Sequence, residues 1–233
     1  MKAVFLGVGE AFDENYSNNS IIVVSDKTKI LLDAGYSVPQ QLWKYNNDPE
    51  FLDAIYISHI HADHCFGLPA ILMRMWEDGR KKDLTIICQK ELNGLLEYAY
   101  SSFQEKFEYK IIYVEPGNMQ FRDLSFSFQE TIHTRENLAI KINNSIAYSG
   151  DGSPQEDSSF YKDLDLLILE TYLCDQEKVG HSSIVSGIAF AEKNNVKCLA
   201  LTHINRRLRK EGVKKINSKV KVIIPEPLDE WEK

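Results

Sequence analysis

The sequence predicts an α/β protein in which two β-sheets pack together and helices cover their outer faces. Neighbouring strand-like segments dominate the first part of the chain, and strands alternate with amphipathic helices in the later part. Two sheets covered by helices accommodate both patterns. Because the 233 residues contain no repeat, linker or low-complexity segment, we expect one domain over residues 1–233.

Short apolar runs rich in β-branched residues predict the strands, because such side chains suit the pleated surface of a sheet. The predicted strands are residues 4–7, 21–25, 30–33, 54–58, 84–88, 111–115, 124–131, 138–142, 146–149, 164–170, 197–202 and 221–224. Apolar residues at helical spacing predict helices at residues 68–76, 91–107 and 184–192. Ser182 or Ser183 is the expected N-cap of the last helix.

The composition is that of an ordinary globular chain, with 43% apolar residues, 26% charged residues and a net charge of −7. This acidic balance gives no overall attraction to phosphate, so an anionic substrate would need a local basic patch. Cys65, Cys88, Cys174 and Cys198 form no C-x-x-C pair, and we find no secretory signal or membrane-length apolar segment. We therefore expect reduced thiols, a cytoplasmic location and no membrane partner.

Many of the predicted strands end in an ionisable residue. In α/β proteins the loops after the carboxyl ends of strands converge on one rim, where functional sites form. The pattern therefore predicts one site that draws on the whole chain. The residues at these strand ends are Asp33, His59, His133, Asp151, Glu170 and His203.

The densest group of candidate metal ligands lies in residues 58–67. His59, His61, Asp63 and His64 fall within this segment, and imidazole and carboxylate are usual ligands of zinc, iron and manganese. One tetrahedral ion would not use all four and the later residues as well, whereas two ions bridged by a carboxylate would. Two-metal sites acidify a bridging water and so supply hydroxide near neutral pH.

The remaining histidines are His133, His181 and His203. An isolated histidine is more often a surface or core residue than a ligand, and this is the plainer interpretation of His133 taken alone. The four-ligand segment changes the expectation, because it requires partners from elsewhere in the chain.

The ligand segment resembles the signature of the metallo-β-lactamase superfamily. Supporting motifs follow in the expected order at residues 31–35 (LLDAG), 148–151 (YSGD) and 201–203 (LTH). The resemblance spans nearly the whole chain and implies a four-layer αββα sandwich, a single metallo-hydrolase domain and two divalent metal ions. Zinc is the first expectation, with manganese and iron left open.

The resemblance also divides the ligands between the two ions, with one carboxylate shared by both. The first ion would be bound by His59, His61 and His133, the second by Asp63, His64 and His203, and both by Asp151. Asp33 would orient a ligand from behind it.

Within the superfamily, the closest pattern is that of ribonuclease Z, the tRNA 3′-processing phosphodiesterase. Residues 64–69 (HCFGLP), 166–171 (LLILET) and 181–183 (HSS) are similar to its motifs. The resemblance implies that His181 protonates the leaving oxygen and that Glu170 orients it, and a carboxylate partner would raise the pKa of the histidine. A solvent-facing residue at a helix start is the competing interpretation of His181.

The sequence departs from ribonuclease Z in two places. The tRNA-processing members carry a long flexible arm between the third histidine and the bridging aspartate, whereas only a predicted hairpin separates His133 from Asp151 here. The loop at residues 9–19 also lacks the usual arginine before Asn-x-Ser. Because the arm grips the tRNA body, we expect the same chemistry on a different substrate.

Residues 205–215 form a basic run directly after the last predicted ligand. Within it, Arg206 is the candidate for binding a phosphate-bearing substrate. A solvated basic helix is the competing interpretation, and we favour it for Lys214 and Lys215. Arg135 is either an anion contact or a surface arginine.

The predicted function is hydrolysis of a phosphodiester bond in a small-molecule or short nucleic-acid substrate. Asp63, His181 and Glu170 are the candidate catalytic residues, and a metal-bridging hydroxide is the nucleophile. The alternative keeps the metals but attacks a carbonyl, as a lactonase, thioesterase or β-lactamase does. A diiron redox enzyme is disfavoured because its relatives have Glu at the position of His61, and a non-enzymatic module because all ligand positions are intact. Related enzymes are often dimers, so the resemblance allows a homodimer.

Overall fold

The structure is a computed structural model that describes residues 1–100, 106–176, 178–213 and 217–233. Parts of the predicted helix 91–107 and of the basic run, including Lys214 and Lys215, lie outside the described residues. No helix in the described part of the chain combines the length and the apolarity that a membrane span requires.

The strands are β1 (Lys2–Gly7), β2 (Ser20–Val24), β3 (Lys29–Leu32), β4 (Ala54–Tyr56), β5 (Leu84–Ile87), β6 (Ile111–Val114), β7 (Met119–Phe121), β8 (Leu124–Glu130), β9 (Leu138–Ile142), β10 (Ile146–Tyr148), β11 (Leu166–Glu170), β12 (Cys198–Thr202), β13 (Lys221–Ile223) and β14 (Glu230–Glu232). The helices are α1 (Val38–Tyr45), α2 (Ala62–Cys65), α3 (Leu68–Glu77), α4 (Leu92–Tyr100), α5 (Ile184–Lys193) and α6 (Arg206–Glu211), with a 3₁₀ turn at Ser159–Tyr161.

The described strands form two seven-stranded sheets. The first has the order β14-β1-β2-β3-β4-β5-β6 and the second the order β13-β12-β11-β10-β9-β8-β7. Each sheet has an antiparallel half and a parallel half, with the change at β3 in the first sheet and at β10 in the second. An antiparallel β9–β10 hairpin lies between His133 and Asp151, as predicted.

Alternation of side chains along the strands divides the core into layers, because successive residues of a strand face opposite sides of its sheet. In β3, Ile30 faces the second sheet, whereas Leu31 packs against α1, α3 and α4. In β11, Ile168 faces the first sheet and Leu167 packs against α5. The result is a helix–sheet–sheet–helix arrangement, which confirms the predicted four-layer αββα sandwich.

Each strand predicted from the sequence is present, with small shifts at its ends. Helix α1 and the strands β7 and β14 were not predicted, because three-residue strands and a two-turn helix are too short to show a clear periodicity. Helix α5 begins as expected. Ser183, one of the two predicted caps, accepts a hydrogen bond from the backbone N–H of Ser186.

Candidate metal centre

The predicted site residues lie together at one edge of the sandwich, in loops that follow strands of both sheets. Because the parallel strands of each sheet point the same way, their carboxyl ends present these loops to a common rim. Asp33 follows β3, His59 follows β4, His133 follows β8, Asp151 follows β10, Glu170 ends β11 and His203 follows β12.

A first cluster consists of three imidazoles. His59 Nε2 lies 2.9 Å from His61 Nδ1, and His133 Nε2 lies 3.3 Å from the same atom. Nitrogens bound at about 2.0–2.1 Å around a tetrahedral zinc ion are roughly 3.3 Å apart, so the spacing suits ligands of one ion. His61 and His133 are half-buried, and this side of the site faces solvent.

Hydrogen bonds at Nδ1, the ring nitrogen that faces away from the cluster, fix the orientation of two of these histidines. His133 Nδ1 donates to the carbonyl of Gly180 at 3.0 Å, and His59 Nδ1 donates to Ser58 Oγ at 3.0 Å. Each ring thereby uses its N–H on a neighbour, and the lone pair of Nε2 faces the cluster. Metal-binding histidines are usually held in this way.

A second, more buried cluster lies beside the first and contains two carboxylates. His64 Nε2 is 3.2 Å from Asp63 Oδ2 and 3.0 Å from Asp151 Oδ1. His203 Nε2 is 3.4 Å from Asp63 Oδ2 and 3.3 Å from Asp151 Oδ2. The rings of His59 and His64 are 4.3 Å apart between centroids, so the two clusters adjoin.

Asp151 makes its close contacts within the second cluster, where both of its carboxylate oxygens face histidines. Its charge also acts on His59 of the first cluster. A position between the clusters is compatible with the predicted bridge, and the bridging role itself stays a prediction.

Asp33 is fully buried and anchors both clusters. Its Oδ1 accepts the backbone N–H of Ser58 at 2.7 Å. Its Oδ2 accepts hydrogen bonds from Ser58 Oγ at 2.7 Å, His64 Nδ1 at 2.6 Å and Tyr148 Oη at 2.6 Å. Since Ser58 also holds His59, one carboxylate orients a ligand in each cluster.

The electrostatics differ between the clusters. Burial, together with the neighbouring imidazoles, lowers the pKa of His59, His61 and His133, so these rings are neutral donors. In the second cluster, burial alone would raise the pKa of Asp63 and Asp151. The neighbouring histidines lower it by more, so the pKa of both carboxyl groups lies well below the usual value. Against the effect of burial, the same carboxylates raise the pKa of His64 well above its usual value and that of His203 to about 9. A divalent cation would take the place of these ring protons, and imidazole and carboxylate are ligands that suit it.

Unsatisfied buried atoms provide a test of whether the residues fit a metal. Among the described residues, His64 Nε2, Asp151 Oδ1 and His203 Nδ1 are buried without a hydrogen-bond partner, since the 3.0 Å contact between His64 Nε2 and Asp151 Oδ1 lacks hydrogen-bond geometry. Buried polar atoms are almost always paired, because an unpaired one loses the hydrogen bonds it made to water. A cation bound at His64 Nε2 and Asp151 Oδ1 would satisfy both atoms, so the second cluster fits a metal ion.

Glu170 and His181 form a pair next to the second cluster. His181 Nδ1 lies 3.3 Å from Glu170 Oε2, and the backbone N–H of Ser182 donates to Oε1 at 2.7 Å. His181 is therefore tied to Glu170 rather than turned to solvent. The expected rise in its pKa is wrong: burial lowers the pKa of His181 to about 4, with the charges of His203 and Lys178 adding to the effect. Burial likewise raises the pKa of Glu170 well above its usual value.

Arg206 is placed near the site but is already ion-paired. Its Nη1 donates to the buried carboxylate of Glu10, and its Nε lies 3.9 Å from Glu14 Oε2. These acids cancel the charge that was expected to bind phosphate. A role of Arg206 in substrate binding stays a prediction, and it would require the pair with Glu10 to open.

Three groups that support the site were not singled out from the sequence. Ser58 and Tyr148 lie inside the motifs at residues 58–67 and 148–151, so their closeness to ligands was the available signal. The carbonyl of Gly180, which orients His133, is 47 positions away from it along the chain. Such a backbone contact leaves no trace in residue type.

Comparison with known proteins places the chain among metal-dependent hydrolases. Residues 1–218 match the family described as Anti-Pycsar protein Apyc1. The ribonuclease Z of Methanocaldococcus jannaschii is 27% identical over 307 aligned positions, which cover 100% of this chain and 97% of that protein. The resemblance to ribonuclease Z-like hydrolases, inferred from the motifs, is thereby confirmed.

Solved structures share the fold over the whole chain. The short form of human tRNase Z superposes with a TM-score of 0.84 at 19% identity, covering 100% of this chain and 99% of that one. The metallo-β-lactamase fold protein YhfI from Bacillus subtilis gives a TM-score of 0.81 at 24% identity, covering 100% and 98%. At these identities the likeness establishes the metallo-β-lactamase fold.

Proposed function

This chain belongs to the Anti-Pycsar protein Apyc1 family, and from that premise we propose that it is a two-metal phosphodiesterase that cleaves small cyclic nucleotides. The observation that carries the proposal is the pair of adjoining ligand clusters, one of three imidazoles and one with two carboxylates. The ribonuclease Z relatives support phosphodiester chemistry, and the family match favours a cyclic nucleotide as the substrate.

The ligand assignment follows from the clusters. We propose that one ion is held by the first cluster and a second ion by Asp63, His64 and His203, with Asp151 between them. Two divalent cations bound there would supply Lewis acidity, which neutralises charge on the phosphate and lowers the pKa of a water molecule. Zinc is the metal that we expect from these nitrogen and carboxylate ligands, and metal analysis decides between zinc, manganese and iron.

The proton that the leaving oxygen requires is assigned to His181. When the phosphorus–oxygen bond breaks, the Nε2 proton of His181 passes to the leaving oxygen. Glu170, protonated on Oε2, faces Nδ1 and gives its proton to Nδ1 as Nε2 loses its own, so the ring stays neutral and the negative charge passes to Glu170. The Ser182 N–H holds the other oxygen, Oε1, and so fixes the carboxyl group in this orientation.

The choice of a small substrate rests on what surrounds the site. The β9–β10 hairpin connects His133 to Asp151 without an inserted arm. The net charge of −7 gives no overall attraction to a polyanion. The first cluster nonetheless opens to solvent at His61, and this opening leaves room for a small phosphodiester.

A substrate panel on metal-loaded protein tests the proposal. We expect hydrolysis of bis(p-nitrophenyl) phosphate and of 3′,5′-cyclic nucleotides, about two equivalents of metal per chain, and no 3′-processing of precursor tRNA. His61→Ala should abolish turnover and reduce the metal content, whereas Tyr98→Ala, an exposed residue of α4, should leave both unchanged. Turnover of lactones or thioesters with none of the phosphodiesters would overturn the proposal.

A further inference from the structure

A phosphodiester substrate carries a negative charge, and two of the arginines that follow His203 are already engaged. Arg206 is paired with Glu10. Arg209 donates to the carbonyl of Pro225 and to Glu226. On the proposed function, a cation at the rim of the site that is not ion-paired would add to the attraction that the metal ions exert on the substrate anion.

Lys178 lies in a tight turn that joins it to the centre. The backbone N–H of His181 donates to the carbonyl of Lys178 at 2.8 Å, and Gly180 occupies the third position of this turn with φ of +79°. A positive φ at that position is typical of a type II turn and favours glycine. The Gly180 carbonyl also accepts from His133, so the turn is tied to the first cluster.

The side chain of Lys178 rests on an aromatic ring that faces the site. Its Nζ lies 4.3 Å from the ring centroid of Tyr172. That ring is 5.2 Å from the ring of His181 and 6.4 Å from that of His203. Lys178 is exposed, and within the described ranges no carboxylate forms an ion pair with it.

Lys178 differs from Arg206 in the kind of group that its cationic end contacts. A carboxylate partner cancels the charge of a cation, whereas an aromatic ring attracts the ammonium group and leaves its charge intact. The ring of Tyr172, which packs against the ring of His181, therefore holds Nζ in a form that can still attract an anion.

We propose that Lys178, seated on the ring of Tyr172, is the residue that binds a non-bridging phosphate oxygen of the substrate at the His181 side of the centre. It determines affinity for the anionic substrate and does not take part in bond cleavage. Lysine suits this role because its ammonium is a compact point charge on a flexible stem.

Kinetics with bis(p-nitrophenyl) phosphate and titration of inorganic phosphate into the metal-loaded protein test this inference. For Lys178→Met we expect KM and the Kd of phosphate to rise about tenfold, the scale of one charge-assisted hydrogen bond. We expect kcat to change less than twofold and the metal content to stay constant. Lys178→Arg should restore most of the affinity.

The matched control is Lys162→Met. Lys162 is also exposed, but it precedes β11 at the end opposite to Glu170, and its replacement should leave KM unchanged. A Lys178→Met protein whose KM and phosphate Kd stay within twofold of the wild type, or whose kcat falls instead, would overturn the inference. If the wild type hydrolyses no phosphodiester, the proposed function fails, and the phosphate titration still decides the role of Lys178.

Discussion

At the scale of single residues, the centre depends on a buried carboxylate that lies outside the two proposed ligand sets. Asp33 accepts hydrogen bonds from Ser58, His64 and Tyr148. It follows β3 with a φ of +61°, a left-handed conformation that Asp tolerates better than most residues. Asp33 therefore has a strained backbone conformation at the position from which its side chain orients residues of both clusters.

Ser58→Ala is predicted to weaken metal binding selectively at the first cluster. The substitution removes the acceptor of His59 Nδ1, whereas the bond from His64 to Asp33 remains. Loss of such a supporting contact typically costs about 10- to 100-fold in metal affinity. Metal titration of the purified protein measures this as weaker binding of one of two ions.

The control for this substitution is Ser127→Ala, which changes a serine of β8 outside the centre. Equal weakening of both ions in Ser58→Ala, or no change in either, would contradict the selective role of Ser58.

His181→Ala is predicted to lower kcat by about 10²- to 10⁴-fold, the usual contribution of a proton-transferring side chain. Metal content should stay at the wild-type value, because His181 lies outside the two proposed ligand sets. Steady-state kinetics with metal analysis of the same sample checks both. Loss of metal in this variant would identify His181 as a ligand instead.

At the scale of elements, the site depends on how closely two loops approach. Gly67 follows α2 and donates its N–H to the carbonyl of Ala34 at 2.8 Å. A Cβ at Gly67 would lie 2.1 Å from the carbonyl oxygen of Gly35. This packing holds the segment after β3 against α2, which carries Asp63 and His64.

Gly67→Ala is predicted to lower the free energy of unfolding by about 1–3 kcal/mol, the usual cost of overpacking. The atoms that this Cβ would meet are the backbone oxygens of Gly35 and Ala34 and the ring Cδ of Pro39. None of them can turn away, so the loop and α2 must separate. Chemical denaturation of the metal-free protein measures the change.

Gly94→Ala is the matched control, since a Cβ there meets nothing within 4 Å. Gly94 lies in α4, where alanine should stabilise the helix by about 0.5–1 kcal/mol. Destabilisation by both substitutions alike would argue against a specific contact at Gly67.

At the scale of the whole molecule, the two sheets share one apolar core and supply the site jointly. His59 and Asp63 come from the first sheet, and Asp151 and His203 from the second. Neither half contains a complete ligand set. We therefore propose that residues 1–233 form a single domain.

This proposal predicts one cooperative unfolding transition rather than two. Metal should raise the stability of the folded state by about 4 kcal/mol at a free concentration 1,000 times its Kd, because the scattered ligands are brought together only by folding. Thermal scans with and without a chelator measure both effects. Two separate transitions would show that the sheets fold as independent units.

The local pattern of the sequence predicted the strands, and its motifs predicted the αββα class and the candidate ligands. Strands of sufficient length show their periodicity directly, and the motif at residues 58–67 places four candidate ligands close together in the chain. The relatives confirm the expectation of a metal-dependent hydrolase of the ribonuclease Z type. The short elements α1, β7 and β14 escaped prediction, because too few residues carry their pattern.

Only the tertiary structure decided which groups meet across the rim, because residue type alone does not say which distant backbone or charge lies beside a side chain. It paired Arg206 with Glu10 and left Lys178 on the ring of Tyr172. It also reversed the expected pKa shift of His181. That shift depends on how far burial and neighbouring cations outweigh one carboxylate, and this balance is set only when loops from both sheets pack around the same imidazole.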